Sequence, residues 1–266
     1  MIKIKMHAMY DHFPDRHPVD GEPYLDFYAD SHIPNCPDAK KTNVAMLLEP
    51  KSMVPEPYQF VKRHPERFGL IFTHDSELLQ LNNARPLNWA DVWSTTDSEK
   101  TKGISIVSSW KNWCPLHIAR LQLAIQYESD PRVDCFGSFR PGERDKWDDV
   151  KLAHEHYKFA IVLENDIDDL WFTEKILNCF ANKVVPIYVG SPIIGYIFNP
   201  EGIIEVRDWK KVPEVVDELW AAGLDNEYSK RQQAIEDNFK RVERFKTPWK
   251  ERFFNDYESL LEGLLK

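Results

Sequence analysis

Thr173, Glu174 and Lys175 place a hydroxyl, a carboxylate and an amine side by side where an apolar helical pattern begins, with Ile176, Leu177 and Phe180 along one face. Thr173 reads as the N-cap, and Lys175 falls in the first turn. A helix N-terminus carries about half a positive charge, so a cation there is mildly unfavourable, by a few tenths of a kcal/mol, unless an anion sits between them. Helix amides together with a lysine make a phosphate site; a solvated surface lysine is the plain alternative. Just upstream, Glu164 and Asn165 end an apolar run abruptly and offer polar groups to ligand hydroxyls. Asp166, Asp168 and Asp169 follow in the intervening loop. Their oxygens suit magnesium or manganese, whereas an acidic loop of this kind is more often simply solvated.

These residues need a scaffold that brings them to one edge. The continuous apolar run 159–163 predicts a buried strand of a parallel sheet, and 184–189 predicts a second, joined to the first by a right-handed helical crossover. Pro186 cannot donate to a ladder, so it predicts a bulge or an edge. Ligands in such sheets bind beyond the carboxyl ends of the strands, so 164–175 and 190–192 should line one crevice. Further strands are predicted at 2–6, 43–48, 69–73, 103–108 and 133–137. Helices are predicted from Leu116 and over 212–222, and Ile235, Phe239, Val242 and Phe245 mark the face of another. Residues 9–37, rich in His, Asp, Pro and aromatics, read as loop. The polar segment 87–102 marks a boundary, giving an N-terminal acceptor-side domain over 1–98 and a C-terminal nucleotide-binding domain over 99–266.

Other strand ends also carry chemistry. Glu49 stops the strand at 43–48, and Pro50 fixes the turn that presents its carboxylate. His74 and Asp75 end the strand at 69–73, an imidazole with a carboxylate able to orient it. Tyr10, Asp11 and His12 follow the first strand, where an aromatic ring and polar groups could receive an acceptor sugar; an ordinary surface loop is the alternative. His7, His12, His17 and His32 lack metal-ligand spacing.

A formal charge of −9 argues against nucleic acid as a partner but leaves room for a local positive pocket. The four cysteines show no Cys-x-x-Cys spacing, so neither zinc nor a disulfide scaffold is indicated. No apolar run has transmembrane length and no signal peptide is visible, which predicts a cytoplasmic protein. Lys240, Arg241, Arg244 and Lys246 could give weak peripheral contact with an anionic membrane, or form the wet side of an amphipathic helix.

Tyr157-Lys158-Phe159, Glu164-Asn165, Thr173-Glu174-Lys175, Pro186-Ile187 and Gly190-Ser191-Pro192, in this order, closely resemble the core motif of the family 10 glycosyltransferases, the α1,3/4-fucosyltransferases. The resemblance covers about the last two-thirds of the chain well and the first third loosely. It implies an α/β GT-B fold of two Rossmann-like domains with parallel sheets and a cleft between them. It also implies GDP-fucose as donor, an inverting transfer to a hydroxyl of a glycan acceptor, an α1,3 linkage to GlcNAc or Glc, and no required metal. By the same resemblance Glu49 stands where the family has its proposed base. Arg120 stands where an arginine contacts the donor diphosphate, with Arg132, Arg140 and Arg144 as competitors. Glu164, Asn165, Thr173, Glu174 and Lys175 fall on the donor side. Trp171 replaces the family's usual tyrosine and keeps an aromatic wall without the hydroxyl. The alternatives are another nucleotide-sugar donor, with a metal at Asp166 and Asp168, or a non-catalytic sugar- or nucleotide-binding protein.

Overall fold

The computed structural model describes residues 1–140, 142, 143 and 148–266. In chain order these form β1 (Lys3–His7), β2 (Tyr24–Ala29), β3 (Lys40–Met46), α1 (Pro55–Arg63), β4 (Phe68–Thr73), β5 (Ala84–Pro86), β6 (Lys102–Val107) and α2 (Pro115–Tyr127). They continue with β7 (Val133–Phe136), α3 (Asp148–Glu155), β8 (Tyr157–Leu163), α4 (Glu174–Ala181), β9 (Val185–Val189), α5 (Ile194–Ile197) and β10 (Ile204–Glu205). The chain closes with α6 (Val212–Ala222), α7 (Leu224–Ser229), α8 (Gln232–Arg241) and α9 (Trp249–Leu265). Two compact units result: Met1–Trp89 with Asp168–Trp171 and Thr247–Lys266, and Ala90–Ile167 with Phe172–Lys246.

The first unit holds a five-stranded parallel sheet in the order β1-β2-β3-β4-β5. The connections that follow β2, β3 and β4 pack on one face, as right-handed crossovers taken in one direction require. That face carries Tyr58 and Val61 of α1 over Ala45, Leu47 and Ile71. The opposite face, with Leu25, Phe27, Val44, Met46 and Phe72, is covered by Phe13 of the β1–β2 connection and by Trp249, Phe253, Phe254 and Leu261 of α9. Phe253 lies 4.8 Å from the ring of Phe72 and 6.3 Å from that of Phe27, in edge-on geometries that favour aromatic pairs. The expected division at 98/99 therefore differs in three ways: the change of unit falls at 89/90, Asp168–Trp171 join the first unit, and so does the last helix. Its rings are what close that unit's core.

β2 lies inside the stretch expected to be loop. The abundant Pro and His around it hid a run, YLDFYA, whose Leu25, Phe27 and Ala29 all face the core.

The second unit's sheet runs β10-β9-β8-β6-β7, also entirely parallel. Here strand order reverses at β6. After β6 the chain moves to β7 on one side and then returns to β8 on the other. Helices consequently cover both faces: α2 and α6 pack on Phe159, Ile161 and Leu163, and α4 packs on Ala160 and Val162. Alternate residues of β8 thus serve two cores, which is why the strand reads as a continuous apolar run. Pro186 sits within β9, where β10 pairs only with Ile187 and Tyr188 and does not reach it, so the missing donor falls at a locally open edge. The four cysteines are free. Among the described residues, no helix is long and apolar enough to cross a membrane.

Candidate active site

The reversal of strand order puts the carboxyl ends of β6 and β8 side by side, the position where open parallel sheets bind ligands. α2, after β6, contributes Arg120. Its Nη1 donates to the Leu163 carbonyl at 2.6 Å and its Nη2 to Asn165 Oδ1 at 3.4 Å, so the guanidinium is buried against the end of β8. His117, one turn earlier, meets the same Asn165 oxygen through Nε2 at 2.9 Å. Burial and the Arg120 charge push its pKa down to about 4, so the ring is neutral at physiological pH. His117 was not anticipated, although its i, i+3 spacing from Arg120 was a usable signal. Arg132 instead pairs with Asp130 and Asp217, and Arg140 with Glu128 and Glu143. Arg144 lies outside the described residues.

At the end of β8, Glu164 is fully buried. Its Oε1 accepts from the Thr173 amide at 2.9 Å and its Oε2 from Thr173 Oγ1 at 2.7 Å. Thr173 caps α4 as expected, Oγ1 accepting from the Lys175 amide at 3.4 Å and from Lys175 Nζ at 3.0 Å. The ammonium lies 3.6 Å from Glu164 Oε2 and 3.2 Å from Glu174 Oε1. Burial raises the Glu164 pKa, and the Lys175 charge works against that rise. Glu164 thus braces the cap and the lysine from beneath. Gly190, at the end of β9, completes the floor: a Cβ there would lie 2.3 Å from Tyr188 Oη and 2.7 Å from Glu164 Cγ.

The acidic loop divides. Asp166 Oδ1 accepts from the Ile167 amide at 2.9 Å, while Asp168 through Trp171 belong to the first unit. There Trp171 is buried, its ring 4.5 Å from His74 and 6.4 Å from Trp89. Burial and the Asp75 charge raise Asp168 to about 6, against the pull of Lys51. Among the described residues no group of three His, Cys, Asp or Glu could hold a metal ion.

In the first unit Glu49 follows β3, and side chains hold all four polar backbone atoms of residues 48 and 49. Asp30 Oδ1 accepts from the Leu48 amide at 2.8 Å and the Glu49 amide at 3.1 Å. Trp89 Nε1 donates to the Leu48 carbonyl and Tyr58 Oη to the Glu49 carbonyl, each at 2.6 Å. Because Tyr58 spends its proton on that carbonyl, His74 Nε2 at 3.0 Å must be the donor to the Tyr58 oxygen. His74 is therefore a buried support for the Glu49 turn. Asp75 is buried as well. Burial pushes its pKa up, but Lys51 at 2.5 Å and the Leu78 amide outweigh this and hold it below the ordinary range.

Tyr10 and Asp11 are exposed, Asp11 accepting from the Phe13 amide at 2.9 Å and pairing with His17 at 2.6 Å. His12 packs its ring 5.8 Å from Trp249, and burial followed by the Lys250 charge lowers its pKa. In the basic run, Arg241 pairs with Asp237 and Lys246 with Glu243, so half of its charge is locally neutralised.

Two parallel-sheet α/β units, one carrying cations at its topological switch point, have the fold of the GT-B class. Residues 97–248 match the family described as Glycosyltransferase family 10 (fucosyltransferase) C-term, and the chain belongs to that family. Over 61 residues it is 38% identical to the alpha-(1,3)-fucosyltransferase FucT of Helicobacter pylori, a stretch amounting to 23% of this chain and 13% of that protein. Two solved structures share the fold. An alpha1,3-fucosyltransferase with GDP superposes at a TM-score of 0.59 and 15% identity, covering 98% of this chain and 90% of that one. An alpha1,3-fucosyltransferase with GDP-fucose gives 0.56 and 16%, covering 92% and 80%.

Proposed function

We propose that the chain is an inverting fucosyltransferase that moves fucose from GDP-fucose to a glycan hydroxyl, forming an α1,3 linkage to GlcNAc or Glc. The observation that carries this reading is Lys175, held by Thr173, Glu174 and Glu164 in the first turn of α4. The lysine, the α4 amides and Arg120 supply positive charge where a nucleoside diphosphate would leave, and need no divalent ion to do so. Membership of the fucosyltransferase family and structural neighbours that hold GDP and GDP-fucose support that donor. Asn165 and Glu174 hold donor hydroxyls, while Glu164 and Thr173 keep Lys175 aimed. On the same reading Trp171 is the aromatic wall on the donor side.

The first unit supplies the acceptor side, with Glu49 as the base that takes the acceptor proton as the anomeric bond forms and GDP departs. The side chains that clamp its backbone support that assignment. Tyr10, Asp11 and His12 are the acceptor-side candidates, with His74 and Asp75 as the reserve candidates for acid–base work. A cytoplasmic location with weak peripheral membrane contact belongs to the same proposal. Calorimetric titration with GDP-fucose, GDP-mannose and UDP-galactose, each with and without EDTA, tests it. Chelator-insensitive binding with GDP-fucose preferred is the expected result; binding of the uridine sugar alone, or only with metal, would overturn the donor assignment.

A further inference from the structure

At the carboxyl edge of the first sheet the β2/β3 ladder stops at the pair Ala29 and Met46. The next residue of β2's chain, Asp30, has φ of +45°, a left-handed conformation that side chains other than glycine seldom adopt. This turn ends the strand and brings the carboxylate over the exit of β3. There Oδ1 takes the Leu48 and Glu49 amides, one oxygen doing for two consecutive peptides what a further strand residue could not. Trp89 and Tyr58 take the two carbonyls, and Pro50 restricts the chain immediately beyond. A loop residue ordinarily leaves several of these groups to water. Here every backbone polar atom of 48 and 49 is fixed by a side chain from another part of the unit, so the Cα of Glu49 is held in place.

We infer that Asp30 is a positioning residue for Glu49: its carboxylate anchors the two amides, and so fixes the Cα from which the candidate base projects. The inference rests on the reading of Glu49 as base. The positive φ at a carboxylate-bearing residue marks the anchor as specific, because glycine would satisfy the backbone and asparagine or aspartate alone among common left-handed residues would satisfy the amides. Burial, opposed by those two amides and aided by the Glu49 charge, lifts the Asp30 pKa to about 7.

The test compares Asp30→Gly, Asp30→Asn, Glu49→Gln and the double variant Asp30→Gly with Glu49→Gln in the full chain. GDP release from GDP-fucose is followed with N-acetyllactosamine as the acceptor probe. Glycine suits φ of +45° and removes only the carboxylate, so Asp30→Gly is expected to fold. A displaced base should lower kcat about 10–100-fold while KM for GDP-fucose stays within about twofold. Asp30→Asn keeps a carbonyl oxygen for both amides and is expected to hold kcat within about threefold of the parent. In the Glu49→Gln background, Asp30→Gly should cost nothing further. Unchanged kcat in Asp30→Gly beside an impaired Glu49→Gln would overturn the inference and leave the base assignment standing. Near-normal turnover in Glu49→Gln would remove the base assignment, and the inference with it.

Discussion

Thr173 donates both its backbone amide and its hydroxyl to one carboxylate, that of Glu164, at 2.9 and 2.7 Å. The pair ties the end of β8 to the start of α4 without solvent, because Glu164 is fully buried. Replacing Glu164 by Ala leaves the Thr173 amide and hydroxyl without their acceptor and removes one of the two carboxylates beside the Lys175 ammonium. The expected loss is about 3 kcal/mol of unfolding free energy, together with weaker GDP-fucose binding. Urea midpoints and calorimetric titration of the same variant check both.

Lys175 and Glu49 should separate kinetically. On the proposed reading, Lys175→Ala removes charge that would meet the diphosphate in the ground state and more strongly as it leaves. It should therefore raise the GDP-fucose KM and lower kcat, about 100-fold or more in kcat/KM. Glu49→Gln should lower kcat with KM for donor little changed. Steady-state kinetics over a donor series distinguishes them.

Gly190→Ala is expected to destabilise the second unit by about 1–3 kcal/mol. Its added methyl meets the Tyr188 ring and hydroxyl at 2.3–2.5 Å and the Glu164 side chain at 2.7 Å, so the floor under Lys175 must shift. Thermal melting and GDP-fucose affinity should fall together.

Phe253→Ala tests the role of α9. The ring fills the space beside Phe72, Phe254 and Phe27, and truncation should cost about 3–5 kcal/mol. The loss should appear as an earlier urea transition for the first unit, read by fluorescence of Trp89 and Trp249.

Stability should respond to pH through two groups of opposite sign. Asp30 rises from 3.8 to about 7, so the folded chain holds its proton more firmly than the unfolded chain. Its contribution is present at acid pH and is lost as pH climbs from about 4 through 7. His154, lowered by burial from 6.5 to about 4, resists protonation in the folded chain, so stability falls as pH drops from 6.5 towards 4. Urea midpoints at pH 5, 6, 7 and 8 should show a smaller decline on the alkaline side in Asp30→Asn than in the parent chain.

Short-range order was legible in the residues. Thr173 as cap, Lys175 in the first turn, the strand ending at Leu163, the helix over 212–222 and the edge at Pro186 all follow from spacings within one element, where backbone geometry sets which side chains meet. What only the tertiary structure decided involves partners far apart in the chain. Asp30 reaches amides 18 and 19 residues away, Trp171 packs on His74, and α9 returns to cover β2, β3 and β4. No periodicity specifies such pairs, because they depend on strand order: an unreversed sheet needs an outside helix for its second face, and a reversed one opens a site where its strands part. Glu164 shows the same limit at one residue. Its place at a strand end suggested contact with ligand, yet its complete burial makes it the support beneath Thr173 and Lys175.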